Sequence, residues 1–174
     1  MGPVVVVVGG GTAGCAVAAR LAEAWRAVTL IEGGPDYGPR EQGRWPADLL
    51  DATTLATSHD WGYSGPAADG RCVAFDRARV IGGCSAHNGS TMSTGWSGDD
   101  VDLPSTWSTA ELADAREGAR ERTRINVPDE TAIQPLQRAF LDACDALGVR
   151  RTDDLLDPEG GVGASLSPVN VVDG

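Results

Sequence analysis

The first apolar stretch is five consecutive valines, residues 4–8, running directly into Gly9-Gly10-Gly11-Thr12-Ala13-Gly14. β-Branched residues bounded by glycine predict an extended segment ended by a turn. Beyond the glycines, Ala13, Val17, Leu21 and Ala24 recur at spacings of four and three, which predicts a helix from Thr12 to about Trp25 with that set as its apolar face. Cys15, Ala16 and Ala18 keep the adjoining surface small, as close packing on a sheet requires, and Cys15 reads as a packing residue. A second apolar run, residues 28–31, closes on Glu32. The order is strand, glycine turn, helix, strand.

Between residues 33 and 74 the periodicity dissolves. Gly33-Gly34-Pro35 and Gly38-Pro39 mark turns, while Trp45-Pro46 and Asp60-Trp61-Gly62-Tyr63 stand as isolated aromatic anchors. A long irregular segment in a compact domain is functional or disordered, and these aromatic residues argue against disorder. Short strands are expected near Tyr63 and Val73. Residues 79–89 read Arg-Val-Ile-Gly-Gly-Cys-Ser-Ala-His-Asn-Gly. A glycine pair followed by small polar side chains can wrap backbone around a flat or phosphorylated ligand, so a loop leading into a helix start is expected.

Residues 99–102 are acidic and expected in solvent. Ser108 and Glu111 have the spacing of a capping box, predicting a helix to about Arg124 that Gly118 weakens and whose Arg116, Glu117, Arg120 and Glu121 face water. A further helix is predicted from Pro135, with Leu136, Phe140, Cys144 and Leu147 as a core face and Gly148 as its stop. Residues 153–174 read as loop. There is no internal repeat.

The glycine turn is where chemistry first enters. Gly9 permits the tight turn, Gly11 lets backbone approach a phosphate, and Gly14 lets the helix lie close on the strand. The helix start then directs unpaired N–H groups at a pyrophosphate. Glu32, 18 residues past Gly14, can hydrogen-bond an adenosine ribose. A carboxylate there argues against a 2′-phosphate; FAD and NAD are both compatible with it.

Bulk properties narrow the class. The chain has 174 residues, 41% hydrophobic and 22% charged, as in a globular protein with a real core. A net charge of −11 argues against binding nucleic acid or an anionic membrane surface. The missing membrane-span run and signal-peptide pattern point to the cytoplasm. Cys15, Cys72, Cys84 and Cys144 have no metal-ligand spacing with His59 or His87, so they are expected as reduced thiols and no metal site is expected.

Taken together, these stretches resemble the N-terminal part of the glucose–methanol–choline flavin oxidoreductases. Gly9-Gly10-Gly11-Thr12-Ala13-Gly14 is similar to that family's FAD-binding opening, Glu32 to its ribose ligand, and Arg79 through Asn88 to its first signature. Asp60-Trp61, the helix of Leu136 and Gly148, and the closing Gly163, Pro168, Asn170 and Asp173-Gly174 resemble segments that follow in register. The resemblance implies an α/β, Rossmann-like FAD-binding domain, incomplete here. It implies three parts: residues 1–32 as the βαβ unit, 33–98 as an irregular flavin-contacting segment, and 99–174 as helices and loops.

It further implies oxidation of an alcohol by hydride transfer to N5 of FAD. Gly9, Gly11, Thr12, Ala13, Gly14 and Glu32 would hold the ADP half; Val80, Gly82, Gly83, Ser85 and Asn88 would lie along the pyrophosphate and isoalloxazine. His87 is similar to the histidine bonded to the flavin in the choline-oxidase branch, and proximity to the ring is expected here ahead of a covalent link. Cys84 replaces the commoner serine as a packing variant.

The family's catalytic histidine pair lies near a distant C-terminus. His59 and His87 are the only histidines here, and both fall in the cofactor half. Leu156 also stands where relatives often carry Asn. No catalytic residue is therefore assigned. Two expectations follow: a truncated piece of an FAD-dependent alcohol oxidoreductase with an incomplete, edge-exposed sheet, or a self-standing module or subunit whose missing half comes from a second polypeptide.

Overall fold

The computed structural model describes residues 4–92, 106–152, 155 and 162–171. They form two compact units that divide between Gly89 and Ser90. In the first, β1 (Val5–Val8) leads through the glycine turn into α1 (Thr12–Glu23) and on to β2 (Val28–Ile31). β1 and β2 are parallel, with Val5 opposite Val28 and Val8 opposite Ile31, and α1 lies against both. Val5, Val7, Val28 and Leu30 turn to the half-buried face, and the alternate residues turn outward. Among the described residues this sheet is a two-strand ribbon, with Val6 55% and Val8 81% exposed.

The covered face of α1 keeps only Leu21 of the predicted set. Gly14, Cys15, Ala18 and Leu21 are half-buried, while Ala13, Ala16, Val17 and Ala24 are exposed. A Cβ on Gly14 would collide with the Gly9 carbonyl oxygen. That approach fixes which side of the helix meets the sheet, and closeness selects small residues over larger apolar ones. The helix also stops at Glu23, before Trp25, which takes a left-handed φ of 57°.

The irregular segment is ordered by local bonds. Three-residue 3-10 turns, Arg40–Gln42 and Ala47–Leu49, each follow a proline. The Trp45 indole N–H donates to the Gly38 carbonyl at 2.7 Å, with the Tyr37 ring 5.5 Å away. The expected short strands form a hairpin, β3 (Ser64–Pro66) antiparallel to β4 (Cys72–Ala74). Trp61 stacks on Tyr63, and the Arg79 guanidinium lies 5.1 Å from the Trp61 ring centre.

In the second unit, α2 (Thr109–Thr123) opens with the expected capping box. Glu111 N–H donates to Ser108 Oγ at 3.2 Å, and the Glu111 carboxylate accepts the Ser108 N–H at 2.7 Å. That N–H, then the Ser108 hydroxyl, hold the Glu111 carboxyl below its ordinary range. α3 (Pro135–Ala146) begins at its proline and ends before Gly148, at φ 74°. The acidic residues 99–102, Leu156 and parts of the tail lie outside the described residues.

The face of α3 corrects the sequence expectation. Leu136, Phe140 and Leu147 are exposed, and the buried residue is Leu141, at 2%, with Cys144 half-buried beside it. The chain returns beside the end of this helix. Val149 N–H donates to the Cys144 carbonyl, and Arg151 reaches Asp145 at 2.9 Å and Glu130 at 3.2 Å. These bonds hold Val149 and Arg151 against the C-terminal end of α3. The tail expected as loop adds paired residues: Val169 exchanges two backbone bonds with Asn126 at 2.8 Å, and Arg151 bridges to Ala164.

Two outcomes test this unit. Leu141→Ala should cost about 3 kcal/mol, the range for emptying a buried leucine site, whereas Phe140→Ala should stay within about 0.5 kcal/mol; urea unfolding reads both. The Glu111 box should be intact above the ordinary glutamate range and lost as pH falls through its lowered pKa. Glu111→Gln, which keeps the geometry without a titrating group, should flatten that part of the acid dependence of α2 helicity measured by circular dichroism.

Candidate functional site

The glycine turn delivers backbone, not side chains, to its outer surface. Gly11 caps α1 with no side-chain bond, and the first turn carries no acidic residue, so the helix start keeps unpaired N–H groups and its partial positive charge. Around Gly9 there is open space. Thr12 and Ala13 occupy the first turn, both exposed. Glu32 stands at the end of β2 with its carboxylate turned back on the turn, accepting Gly10 N–H at 2.6 Å and Gly34 N–H at 2.8 Å.

The signature loop lies directly on this turn. Gly82 N–H donates to the Gly10 carbonyl at 2.7 Å, and Thr12 Oγ1 lies 3.5 Å from the Gly82 carbonyl. Gly83 crosses Gly11 so closely that a Cβ on Gly83 would stand 2.7 Å from Gly11 Cα; its φ of 59° also favours glycine. The chain then winds into a 3-10 turn, Gly83–Ala86, closed by Ser85 Oγ donating to the Gly82 carbonyl at 2.6 Å. Upstream, Arg79 N–H donates to the His59 carbonyl and Ile81 N–H to that of Pro35.

The predicted site residues therefore separate into two groups. Gly9, Gly11, Thr12, Gly14, Glu32, Gly82, Gly83 and Ser85 meet around the crossing, with Ala13 beside them. Val80 is fully buried, so its side chain belongs to the core. His87 and Asn88 lie further along, lining a cavity of about 250 Å³ with Leu55, Ala56, Asp76, Arg77, Cys84 and Gly89. His87 Nε2 is 2.6 Å from the Ser58 carbonyl.

Sequence reasoning passed over Gly10 and Gly34. Gly10 is buried, with both its N–H and its carbonyl used at the crossing, and a Cβ there would meet Ile81 at 2.7 Å. Gly34 lies against the Arg79–Val80 backbone. Their only sequence signal is being glycine beside better-known glycines. The second unit has its own cavity, about 420 Å³, walled by Glu130, Asp145 and Arg151, whose charges satisfy one another. Among the described residues no three His, Cys, Asp or Glu side chains gather as metal ligands, and no helix is long and apolar enough to cross a membrane.

The chain is similar to several known proteins. A family model described as lycopene cyclase protein matches residues 4–75, ending before the signature loop. Pyranose dehydrogenase 2 of Leucoagaricus meleagris is 42% identical over 97 residues, covering 52% of this chain and 15% of that protein. Choline oxidase of Arthrobacter globiformis is 31% identical over 177 residues, covering 84% of this chain and 30% of the relative. The structure of pyridoxine 4-oxidase from Mesorbium loti superposes with a TM-score of 0.72 at 26% identity, over 98% of this chain and 36% of that one. The chain thus spans about a third or less of the length of these proteins. Such homologues are FAD-dependent. By homology the chain belongs with the glucose–methanol–choline oxidoreductases, and it corresponds to the N-terminal part of their fold, a partial α/β dinucleotide-binding domain.

Proposed function

We propose that the chain supplies the FAD-binding part of an oxidoreductase acting on an alcohol, a CH–OH donor. The observation that carries this reading is the crossing of the two glycine segments, which brings a bare helix start, an acidic strand end and a glycine-rich loop together. Gly9, Gly11, Thr12, Ala13 and Gly14 would border the pyrophosphate, whose charge suits the α1 N–H groups. Glu32 would take the ribose: each carboxylate oxygen, already holding one backbone N–H, keeps a second acceptor site for a hydroxyl. Gly82, Gly83, Ser85 and Asn88 would lie along the pyrophosphate and ring, and Val80 would take part through backbone alone.

A bound flavin supplies a hydride acceptor; the chain's own residues hold and orient it. Relatives named for choline, pyranose and pyridoxine, all hydroxyl-bearing compounds, support an alcohol donor. His87 would stand beside the ring without a covalent bond, a reading supported by the use of its Nε2 on the Ser58 carbonyl. No residue of this chain is assigned as the catalytic base. Polypeptide of the same protein, or a second one, would provide it and cover Val6 and Val8. Four free thiols fit a reducing compartment, the cytosol.

Titration with FAD, followed by flavin fluorescence, should show saturable binding. Gly14→Ala should weaken it at least tenfold, about 1.4 kcal/mol, because the added Cβ displaces the turn. Gly118→Ala, in open space on α2, should leave the affinity unchanged. A denaturing mass measurement on protein purified with flavin should return the mass of the bare polypeptide; an increment equal to FAD would overturn the non-covalent reading of His87.

A further inference from the structure

The crossing gives the site a direction. Gly83 lies on Gly11, and Gly82 N–H reaches the Gly10 carbonyl. Next along, a Cβ on Gly10 would stand 2.7 Å from Ile81, and one on Gly34 would collide with the Arg79 carbonyl. Residues 83 back to 79 therefore run from the start of α1 past the end of β2. A dinucleotide laid along that path has its pyrophosphate at Gly11 and its ribose at Glu32. Its base comes next, beside Gly33 and Gly34.

What stands at that end is a flat cation held in place. Arg79 Nε donates to the Gly33 carbonyl at 3.2 Å, and the guanidinium lies over the Trp61 ring, 5.1 Å from its centre. The Trp61 ring is itself set against Gly33, where a Cβ would be 3.1 Å from it, and its plane is within 4° of that of Tyr63. Backbone bonds anchor both residues: Arg79 N–H donates to the His59 carbonyl, and Trp61 N–H to that of Arg77. Gly33, Trp61 and Arg79 are all exposed. Among the described residues no acceptor meets the two terminal nitrogens of Arg79.

Two kinds of group suit those donors, an anion or a flat ring with acceptor nitrogens. The Glu32 carboxylate, next to the Gly33 anchor, repels an anion such as a 2′-phosphate and leaves the ring. We propose that Arg79 meets the adenine base of the bound dinucleotide, with Trp61 as the positioning residue that backs its guanidinium. This rests on the FAD reading of the glycine turn and extends it to the part of the ligand that the glycines and Glu32 do not touch. Because the carbonyl and the indole already hold the guanidinium, little freedom is lost when the base arrives.

The test uses AMP and ribose 5-phosphate, which share a phosphate and a pentose and differ in the base, titrated into the full chain by calorimetry. AMP should bind about tenfold more tightly, within the range for stacking one base. Arg79→Ala should remove about that factor from AMP and leave ribose 5-phosphate unchanged. Arg79→Lys, which keeps the charge without the flat fork, should give an AMP affinity between the two. Trp61→Ala, which leaves the arginine unbacked, should weaken AMP alone, by about threefold. Equal affinity for the two probes in the unaltered chain would overturn the proposal. So would an Arg79→Lys chain that loses both probes by the same factor, because the guanidinium would then be meeting the phosphate. Failure of the FAD titration with both probes behaving as stated would remove the flavin reading and leave the base contact. Saturable FAD binding with no difference between the probes would remove the base contact alone.

Discussion

Everything in the first unit depends on two backbones coming closer than side chains allow. Gly82 N–H reaches the Gly10 carbonyl at 2.7 Å, and Gly83 lies on Gly11 with no space for a Cβ. That contact joins segments some seventy residues apart in sequence. It holds the signature loop by backbone contacts and places the loop over the positive end of α1. The second close approach, Gly14 on Gly9, fixes the angle at which α1 leaves the turn. Together they make the arrangement a property of backbone geometry, which side-chain packing then supports through buried Val80.

Glu32 shows how one residue can serve both fold and ligand. Its carboxylate ties the end of β2 to Gly10 and Gly34, so the acid expected to meet a ribose also braces the turn that would meet the pyrophosphate. A dinucleotide arriving there would find the carboxylate already aimed, because two N–H donors hold it, and would lose less freedom in ordering it.

Much of this was legible from local pattern. Strand ends set by glycine, the Ser108–Glu111 box and the Pro135 start are chemical signals confined to a few residues, and the structure bears them out. The helix faces were not legible. On α1 the choice between Val17 and Ala18 is made by how near Gly14 comes to Gly9. On α3 Leu141 is buried and its neighbour Phe140 exposed. Periodicity finds apolar positions but does not say which side the rest of the chain will occupy. The contact of Arg79 with Gly33 was hidden for a related reason: 46 residues separate the two, and no spacing rule links them.

The ribbon of β1 and β2 has a consequence beyond cofactor binding. Among the described residues both outer edges offer ladder groups, and one side shows Val6 and Val8 to solvent. Such a surface is a stencil on which any extended segment gains hydrogen bonds and apolar cover together. Any segment that covers it natively would have to arrive before a stray copy does. Selection at these valines would act on the tempo of assembly as well as on the finished protein.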